Sequence, residues 1–161
     1  MFETTGDKEQ DARGTATMQD PHFNILNVMT PFPHAVDLGA SLVEARLFMK
    51  EHNIRHLPVT KQGELCGIIT EHDIKLMLGP EFGSPKPEEL TVEDVYVNDP
   101  YVVDIGTHLR GIVATFVERK IGSAIITKHG KLVGILTTRD VCRALAEYLQ
   151  DRDNPDDDEA A

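Results

Sequence analysis

Two seven-residue segments of the chain share one pattern: a glycine, two apolar residues, a threonine, two polar residues and an aspartate. They read GIITEHD from Gly67 and GILTTRD from Gly134. Each threonine follows an apolar run that predicts a strand and precedes a run that predicts a helix. A helix start presents unpaired N–H groups and a positive dipole end, which suit a phosphate. A threonine hydroxyl can donate to a phosphate oxygen, and an aspartate can accept hydrogen bonds from both ribose hydroxyls.

The same pattern also has a purely structural explanation. Threonine followed three residues later by aspartate is a capping box, in which the hydroxyl accepts a helix N–H and the carboxylate lies near the positive helix end. Capping alone accounts for Thr70 with Asp73 and for Thr137 with Asp140, and the two glycines need only be small residues in crowded strands. The residues leave both alternatives open. They are compatible, because a cap can exchange a backbone partner for a ligand.

The shared segments belong to a longer internal repeat. When Ile54 is aligned with Ile121, nine of twenty-one consecutive positions are identical, and they fall where turns and caps belong. Each copy predicts a short extended segment, a helix, two strands joined by a turn containing glycine, and a second helix. Ser41 with Glu44 predicts a capping box at the first of these helices. One copy is too small to bury both faces of its sheet, so we expect the two copies to pack sheet against sheet.

Several linked motifs resemble those of the CBS domain, the family named after cystathionine β-synthase. They are a Met-Thr-Pro opening at Met29, a Ser-x-x-Glu-Ala helix start, Leu-Pro-Val, and Gly-apolar-apolar-Thr-x-x-Asp. The chain is similar to a tandem pair of such domains, a stand-alone Bateman module. The resemblance implies an α+β (mixed α/β) fold of tandem β-α-β-β-α repeats, packed sheet to sheet with pseudo-twofold symmetry. It also implies adenosyl ligands in clefts between the repeats, and association of two pairs into a flat dimer.

This organisation predicts five segments. A disordered polar tail is expected over 1–21, where no apolar period occurs. The other segments are a first CBS motif, a linker rich in glycine and proline, a second CBS motif and an acidic C-terminal tail, over 22–80, 81–93, 94–147 and 148–161.

The second copy is predicted to hold the more open ligand site. Asp140 is expected to bind the ribose, and Arg139 to meet a phosphate as a two-pronged donor. Small residues in the first strand of the hairpin leave room for an adenine ring against the backbone, with Tyr101 and Val103 flanking the base. The residues expected at this site are Thr137, Arg139, Asp140, Tyr101, Val103, Gly122, Ser123, Ala124 and Ile125.

The first copy is predicted to hold a partly filled or phosphate-selective site. Arg55 and His56 stand where the second copy has small residues, and they can contact a phosphate but also occupy space. Pro58 removes one backbone donor. For each histidine taken singly, a surface position is the favoured interpretation. The residues expected at this site are Thr70, His72, Asp73, His34, Val36, His56 and Pro58.

The composition argues against several other classes of protein. A formal net charge of -11 argues against nonspecific nucleic-acid binding, which needs a basic surface. No apolar run approaches the roughly 20 residues that span a membrane, and the N-terminus lacks the apolar region of a secretion signal. The chain is therefore expected in the cytoplasm, with Cys66 and Cys142 as buried free thiols. We find no nucleophile elbow, phosphate loop or zinc-binding motif, so neither catalysis nor a metal is expected.

These expectations combine into a regulatory, energy-sensing function. An adenosyl ligand of the AMP, ADP, ATP or S-adenosylmethionine type binds between the repeats, the module changes its shape or pairing, and a separate effector protein responds. Amphipathic helices that one pair cannot cover predict a twofold homodimer. The alternative is a constitutive interaction or scaffold module with vestigial clefts. A subunit of an ion transporter or a dehydrogenase is a third hypothesis.

Overall fold

The computed structural model describes residues 23–79 and 86–153, so the predicted tail over 1–21 lies outside the described residues. Within these ranges the helices are α1 Ile25–Val28, α2 Leu42–Glu51, α3 Glu71–Leu78, α4 Leu109–Arg119 and α5 Thr138–Asp153. The strands are β1 Thr30–Pro31, β2 Val36–Asp37, β3 His56–Lys61, β4 Glu64–Thr70, β5 Val102–Asp104, β6 Ser123–Lys128 and β7 Lys131–Thr137. α5 therefore continues through 148–153, the start of the segment predicted as an acidic tail.

The strands form two sheets, one for each repeat. In the first sheet β2 is parallel to β3, and β3 is antiparallel to β4. In the second sheet β5 is parallel to β6, β6 is antiparallel to β7, and β1 is added at the edge beside β7. The order β-α-β-β-α occurs twice along the chain. The predicted α+β fold of tandem repeats is confirmed.

Each repeat closes its hairpin with a two-residue turn. The φ angles are 53° and 82° at Gln62 and Gly63, and 51° and 75° at His129 and Gly130. Positive φ at both central residues characterises the type I′ turn, whose twist matches that of the flanking strands. Glycine takes the second position because it reaches this conformation without a steric penalty from Cβ. The turn therefore sets the register of both hairpins.

Alternate strand residues divide between three apolar clusters. One cluster lies between each sheet and its helices. The third lies between the two sheets and contains Ile68, Ile125 and Ile135, with Leu65 and Leu132 packed against it. Each fully buried branched side chain contributes about 1.5–3 kcal/mol relative to exposure. This cluster therefore holds the two sheets face to face, as the sequence predicted.

The segment that precedes each repeat packs on the other repeat. Met29 and α1 lie in the core of the second repeat, and β1 pairs antiparallel with β7. In return, Val92 lies in the core of the first repeat. Val97 forms an antiparallel bridge with Ile68, with N–H to carbonyl distances of 2.8 and 3.0 Å. The exchange is reciprocal, so each core includes residues that the sequence repeat assigns to the other copy.

The predicted capping box at Ser41 and Glu44 is wrong. Ser41 stands at the N-cap of α2, but its side chain makes no capping hydrogen bond. The N–H of Leu42 instead donates to the carbonyl of Leu90 at 2.9 Å, and Ser41 forms an antiparallel bridge with Thr91. A segment from the linker therefore supplies a backbone acceptor at the helix start.

The exchanged segments explain why the repeated pattern begins with glycine. A Cβ on Gly67 would meet the ring of Tyr96 and the carbonyl oxygen of Val97. A Cβ on Gly134 would lie 2.5 Å from the Sδ of Met29. Contacts this short require a neighbour to move. Both glycines therefore make room for the segment that arrives from the other repeat.

We expect Gly67→Ala to destabilise the chain more than Gly134→Ala. Overpacking of this kind costs about 1–3 kcal/mol. At Gly67 one blocking atom is the backbone carbonyl of Val97, which also bonds Ile68, whereas at Gly134 it is the flexible end of a methionine. Urea unfolding of both variants measures the two losses in the free energy of unfolding.

A pair of double variants checks the cause of this difference. Met29→Ala should recover much of the loss in Gly134→Ala, when compared with Met29→Ala alone. Tyr96→Ala should recover little in Gly67→Ala, since the Val97 carbonyl remains. Equal destabilisation by the two glycine substitutions would contradict this explanation.

Candidate functional site

Both repeats place their threonine–aspartate pair at the junction of a strand and a helix. The Thr70 hydroxyl accepts from the N–H of Asp73 at 3.2 Å, and Asp73 Oδ2 accepts from the N–H of Thr70 at 3.1 Å. Thr137 and Asp140 repeat these bonds at 3.4 and 2.9 Å. Each hydroxyl also donates to its aspartate Oδ2 at 2.6 Å. Both predicted capping boxes are confirmed. A phosphate can accept a hydrogen bond from either threonine hydroxyl only when that hydroxyl no longer donates to its aspartate.

The two aspartates differ in their remaining capacity to accept hydrogen bonds. Asp140 is 6% exposed, and its Oδ1 lies 3.2 Å from Nη2 of Arg143, which also donates to the carbonyl of Val28 at 3.0 Å. Leu76 takes the place of Arg143 in α3, and no residue of 23–79 or 86–153 pairs with Oδ1 of Asp73. Since a carboxylate accepts about four hydrogen bonds, Asp73 keeps about two positions for a ligand and Asp140 about one.

Backbone pairing gathers the predicted second-site residues at one end of the second sheet. Ser123 pairs with Thr137 across β6 and β7. The N–H of Thr138 donates to the carbonyl of Gly122 at 3.0 Å, which joins the start of α5 to the start of β6. Arg139 follows in α5 and is exposed. Five of the predicted positions, counting Asp140, therefore lie close to one helix start.

The side chains of the other predicted second-site residues already have partners within the protein. Tyr101 precedes β5 and packs against α4, where its hydroxyl donates to Thr115 Oγ1 at 3.3 Å and the Arg119 guanidinium stacks over its ring at 5.5 Å. Three side chains pack in apolar clusters: Val103, Ala124 and Ile125. A ligand would reach these three through the backbone, which suits recognition of an adenine edge.

His56 lies where the electrostatic fields of both sites meet. It is half-buried and pairs with Thr70 across β3 and β4. Burial lowers the pKa of His56 below its ordinary value of 6.5, while Asp73 and Asp140 raise it and Arg55 lowers it further. One aspartate of each repeat acts on the same imidazole because the two sheets pack face to face. A change of charge at either aspartate therefore changes the electrostatic energy of the charged form of His56.

Pro58 changes the backbone at the first site. Its counterpart Ile125 donates its N–H to the carbonyl of Tyr101 at 2.8 Å, whereas a proline has no N–H to donate. β2 accordingly begins at Val36, one position later in the repeat than β5 does. Among the described residues no other backbone N–H bonds the carbonyl of His34. That oxygen can accept from a ligand donor such as the adenine amine.

The other two histidines predicted at the first site are exposed. His34 packs its ring against Phe48 and His52, with centroid distances of 5.2 and 4.4 Å. It takes the place on α2 that Tyr101 has on α4. His72 lies in the first turn of α3, at the position of Arg139 in α5. Of the first-site histidines, only His56 is partly buried.

Two charged residues that the sequence reasoning left out shape the sites. One is Arg143, which pairs with the buried aspartate of the second repeat. The other is Glu71, the first residue of α3, which lies 2.8 Å from Lys75 Nζ and 3.8 Å from Arg55 Nε. The hydrogen bond from Lys75 lowers the pKa of Glu71, so this carboxylate is ionised at neutral pH. A position-by-position comparison of the repeats could have found both, since neither is repeated.

Other features bear on the function classes considered. Within the part of the chain that the structure describes, no cluster of three or more His, Cys, Asp or Glu side chains is arranged to hold a metal ion. No helix in that part combines the length and apolar character needed to cross a bilayer. Cys66 and Cys142 are free thiols, but Cys142 is exposed and Cys66 is only partly buried, so the predicted burial of both is wrong.

The fold and its two capped junctions define a tandem α+β repeat protein with one candidate site for each repeat. The family model of the CBS domain matches residues 25–79 and 92–147. The chain therefore belongs to the CBS domain family, as the resemblance in its sequence predicted.

The relatives of the chain in sequence include a much longer enzyme and a protein of similar size. The chain is 31% identical over 139 residues to the inosine-5′-monophosphate dehydrogenase of Korarchaeum cryptofilum, covering 83% of this chain and 26% of that enzyme. It is 30% identical over 131 residues to an uncharacterized 17.7 kDa protein of Acidianus ambivalens, covering 76% and 73% of the two chains. The chain thus spans about a quarter of the dehydrogenase and most of the small protein.

The chain is also similar in fold to solved structures of comparable length. An uncharacterized conserved protein from Pyrococcus horikoshii has a TM-score of 0.69 and 27% identity, covering 78% of this chain and 94% of that one. CBSX2, solved in complex with AMP, has a TM-score of 0.67 and 26% identity, covering 79% and 98%. Each match spans both repeats and nearly all of the other chain.

We expect His56 to make the stability of the chain depend on pH. Its folded pKa lies below the unfolded value, so the unfolded chain binds the proton more readily. Stability should therefore fall as pH drops below about 6.5 and be regained above it, with a slope of at most about 1.4 kcal/mol per pH unit. Urea unfolding of the parent and of His56→Gln between about pH 5 and 7.5 isolates this contribution as the difference between the two curves.

The control for this measurement is His72→Gln, which changes an exposed histidine of the same repeat. Its stability curve should run parallel to that of the parent chain. A His56→Gln curve that also runs parallel to the parent would show that the unfolded and folded chains bind this proton equally.

Proposed function

We propose that this chain is a regulatory module that binds an adenosyl ligand of the AMP, ADP, ATP or S-adenosylmethionine type between its repeats. A change in shape or pairing then reports the ligand to a separate effector protein. The observation that carries the proposal is the repeated strand–helix junction, where Asp73, which is partly buried, and Asp140, which is buried, keep acceptor positions for a ligand at the start of a helix. The AMP complex of CBSX2, which shares this fold at 26% identity, supports the same ligand class.

The proposed contacts follow from the capacity of each group. Asp73 has about two acceptor positions left, which match the two ribose hydroxyls, while Asp140 has about one. Arg139 is the donor for a phosphate at the second site. The backbone from Gly122 to Ile125 reads the adenine edge there. Asp73 is therefore favoured as the stronger ribose ligand, although the sequence predicted that the second site is the more open one.

At the first site the backbone supplies the base contact. The carbonyl of His34, which no backbone N–H of the described residues bonds, accepts a hydrogen bond from the adenine amine. Val36 and Pro58, which has no N–H, lie beside it. His56 lies on the same strand and borders the ligand. The remaining residues proposed at the two sites are Thr70, His72, Thr137, Ser123, Ala124, Tyr101 and Val103.

We expect AMP, ATP or S-adenosylmethionine to raise the unfolding temperature of the parent chain. A ligand at one hundred times its dissociation constant stabilises a protein by about 2.7 kcal/mol. The double variant Asp73→Asn with Asp140→Asn should lose at least about tenfold in affinity, since a hydrogen bond to a charged group contributes about 1.5–3 kcal/mol. Asparagine keeps an acceptor for the cap, which limits the loss of stability.

A third capping box provides the matched control. At a short turn at the end of the linker, the N–H and hydroxyl of Thr91 donate to Asp94 Oδ2 at 2.8 and 3.0 Å, while the N–H of Asp94 donates to the carbonyl of Thr91 at 3.1 Å. Asp94→Asn should cost cap stability without changing ligand affinity. If no adenosyl ligand stabilises the parent, the scaffold alternative holds. If the double variant binds like the parent, the two aspartates are caps only.

We also infer that two copies associate through α5. Cys142, Leu145 and Leu149 are exposed and lie on one face at helical spacing, with 47% and 51% of the two leucines exposed. An apolar stripe of this kind is covered efficiently by the same stripe of a second copy around a twofold axis. Pairing through α5 would also place the dimer contact on the helix that starts at the second site.

Light scattering at micromolar concentration should therefore give about twice the chain mass of 17.9 kDa. Leu145→Glu with Leu149→Glu should give the single-chain mass, because two charges on the stripe cannot be buried without partners. Val117→Glu is the control, since Val117 is 77% exposed but lies on α4. A parent that is already monomeric would exclude this contact.

A further inference from the structure

We propose that the two sites divide adenosyl ligands by charge: the second takes a 5′-phosphorylated adenosine nucleotide, and the first takes an adenosyl ligand without a phosphate, uncharged or cationic. This inference rests on the proposed function and names the ligand class of each site. It follows from the residues that open each helix, Glu71 and His72 in α3 and Thr138 and Arg139 in α5. With histidine neutral, the first pair carries one negative charge and the second pair one positive charge.

At the first site a carboxylate already occupies the anion-attracting end of the helix. Glu71 lies 2.8 Å from Lys75 and 3.8 Å from Arg55, and only together with Asp73 does it balance these two cations, so this helix start has no net positive charge to offer a phosphate. Asp73 adds a second carboxylate, and α3 has no arginine where α5 has one. Burial also lowers the pKa of His56, which therefore supplies no positive charge at neutral pH. A phosphate placed here would meet no unbalanced cation, so this inference departs from the phosphate-selective first site that the sequence predicted.

At the second site the residues that open the helix carry the opposite charge. Arg143 lies 3.2 Å from Asp140 and 3.9 Å from Glu147, so it balances one of these two carboxylates. Arg139 is exposed and forms no ion pair with any residue that the structure describes. Thr138 puts a hydroxyl where α3 has its glutamate. A guanidinium at the positive end of a helix is a donor that binds phosphate.

The test exchanges the helix starts between the sites. Glu71→Thr with His72→Arg gives α3 the opening residues of α5, and Thr138→Glu with Arg139→His makes the reverse exchange. These side chains are exposed or only half-buried, so the fold should tolerate the changes. Calorimetric titration with AMP, adenosine and S-adenosylmethionine measures the preference of each variant.

Each site is read alone by silencing the other with an aspartate substitution. In Asp140→Asn, adenosine and S-adenosylmethionine should bind at least about tenfold more tightly than AMP, and the exchange in α3 should tighten AMP binding by about tenfold. In Asp73→Asn, AMP should bind more tightly than adenosine, and the exchange in α5 should remove that preference. Both differences should shrink as salt is raised, because salt screens exposed charges.

The outcomes distinguish failure of this inference from failure of the proposed function on which it rests. If both sites prefer the same ligand, or if neither exchange moves the affinity for AMP, the division by charge is overturned and adenosyl binding stands. If the parent chain gives no heat with any of the three ligands, the proposed function is overturned, and this inference with it.

Discussion

Each sheet of this chain is completed by a segment that belongs, in sequence, to the other repeat. β1 pairs with β7 and Val97 bridges Ile68, so each repeat supplies part of its neighbour's edge and core. Gly67 and Gly134 are the positions over which the exchanged segments pass, and neither has room for a Cβ unless a neighbour moves. The same two strands end at the capped junctions with α3 and α5. The crossing that joins the repeats therefore also fixes where both candidate sites lie.

This joining brings the two sites within electrostatic reach of each other. Burial lowers the pKa of His56 in the first repeat, and Asp140 of the second repeat opposes that lowering as Asp73 does. An anion bound near Asp140 would favour the charged form of this imidazole. Any such coupling is reciprocal. If a ligand at one site changes the binding affinity of the other site, a ligand at the other site changes the affinity of the first by the same factor. A signal between the sites therefore needs no large movement of the sheets.

Features set by residues close together in the sequence could be predicted, and features set by distant ones could not. The hairpin glycines and the threonine–aspartate caps act within three or four residues, and the structure has both. The strand exchange joins segments far apart, and the cap at Ser41 failed for the same reason, because its helix start is served by the carbonyl of Leu90. Of the site, the repeated aspartates were found, while Glu71 and Arg143 escaped because no motif contains them.

One backbone can hold two electrostatically different sites because the differences lie in side chains that the fold does not need. Glu71 and Arg143 belong to none of the apolar clusters, and neither does the exposed Leu76 that replaces the arginine in α3. The glycine, threonine and aspartate are repeated because the crossing and the cap require them. Identity between the repeats therefore marks what the structure demands, and difference marks where a ligand can be chosen. In the proposed function, the repeated aspartates bind the ribose in equivalent positions, and their unrepeated neighbours select which group that ribose carries.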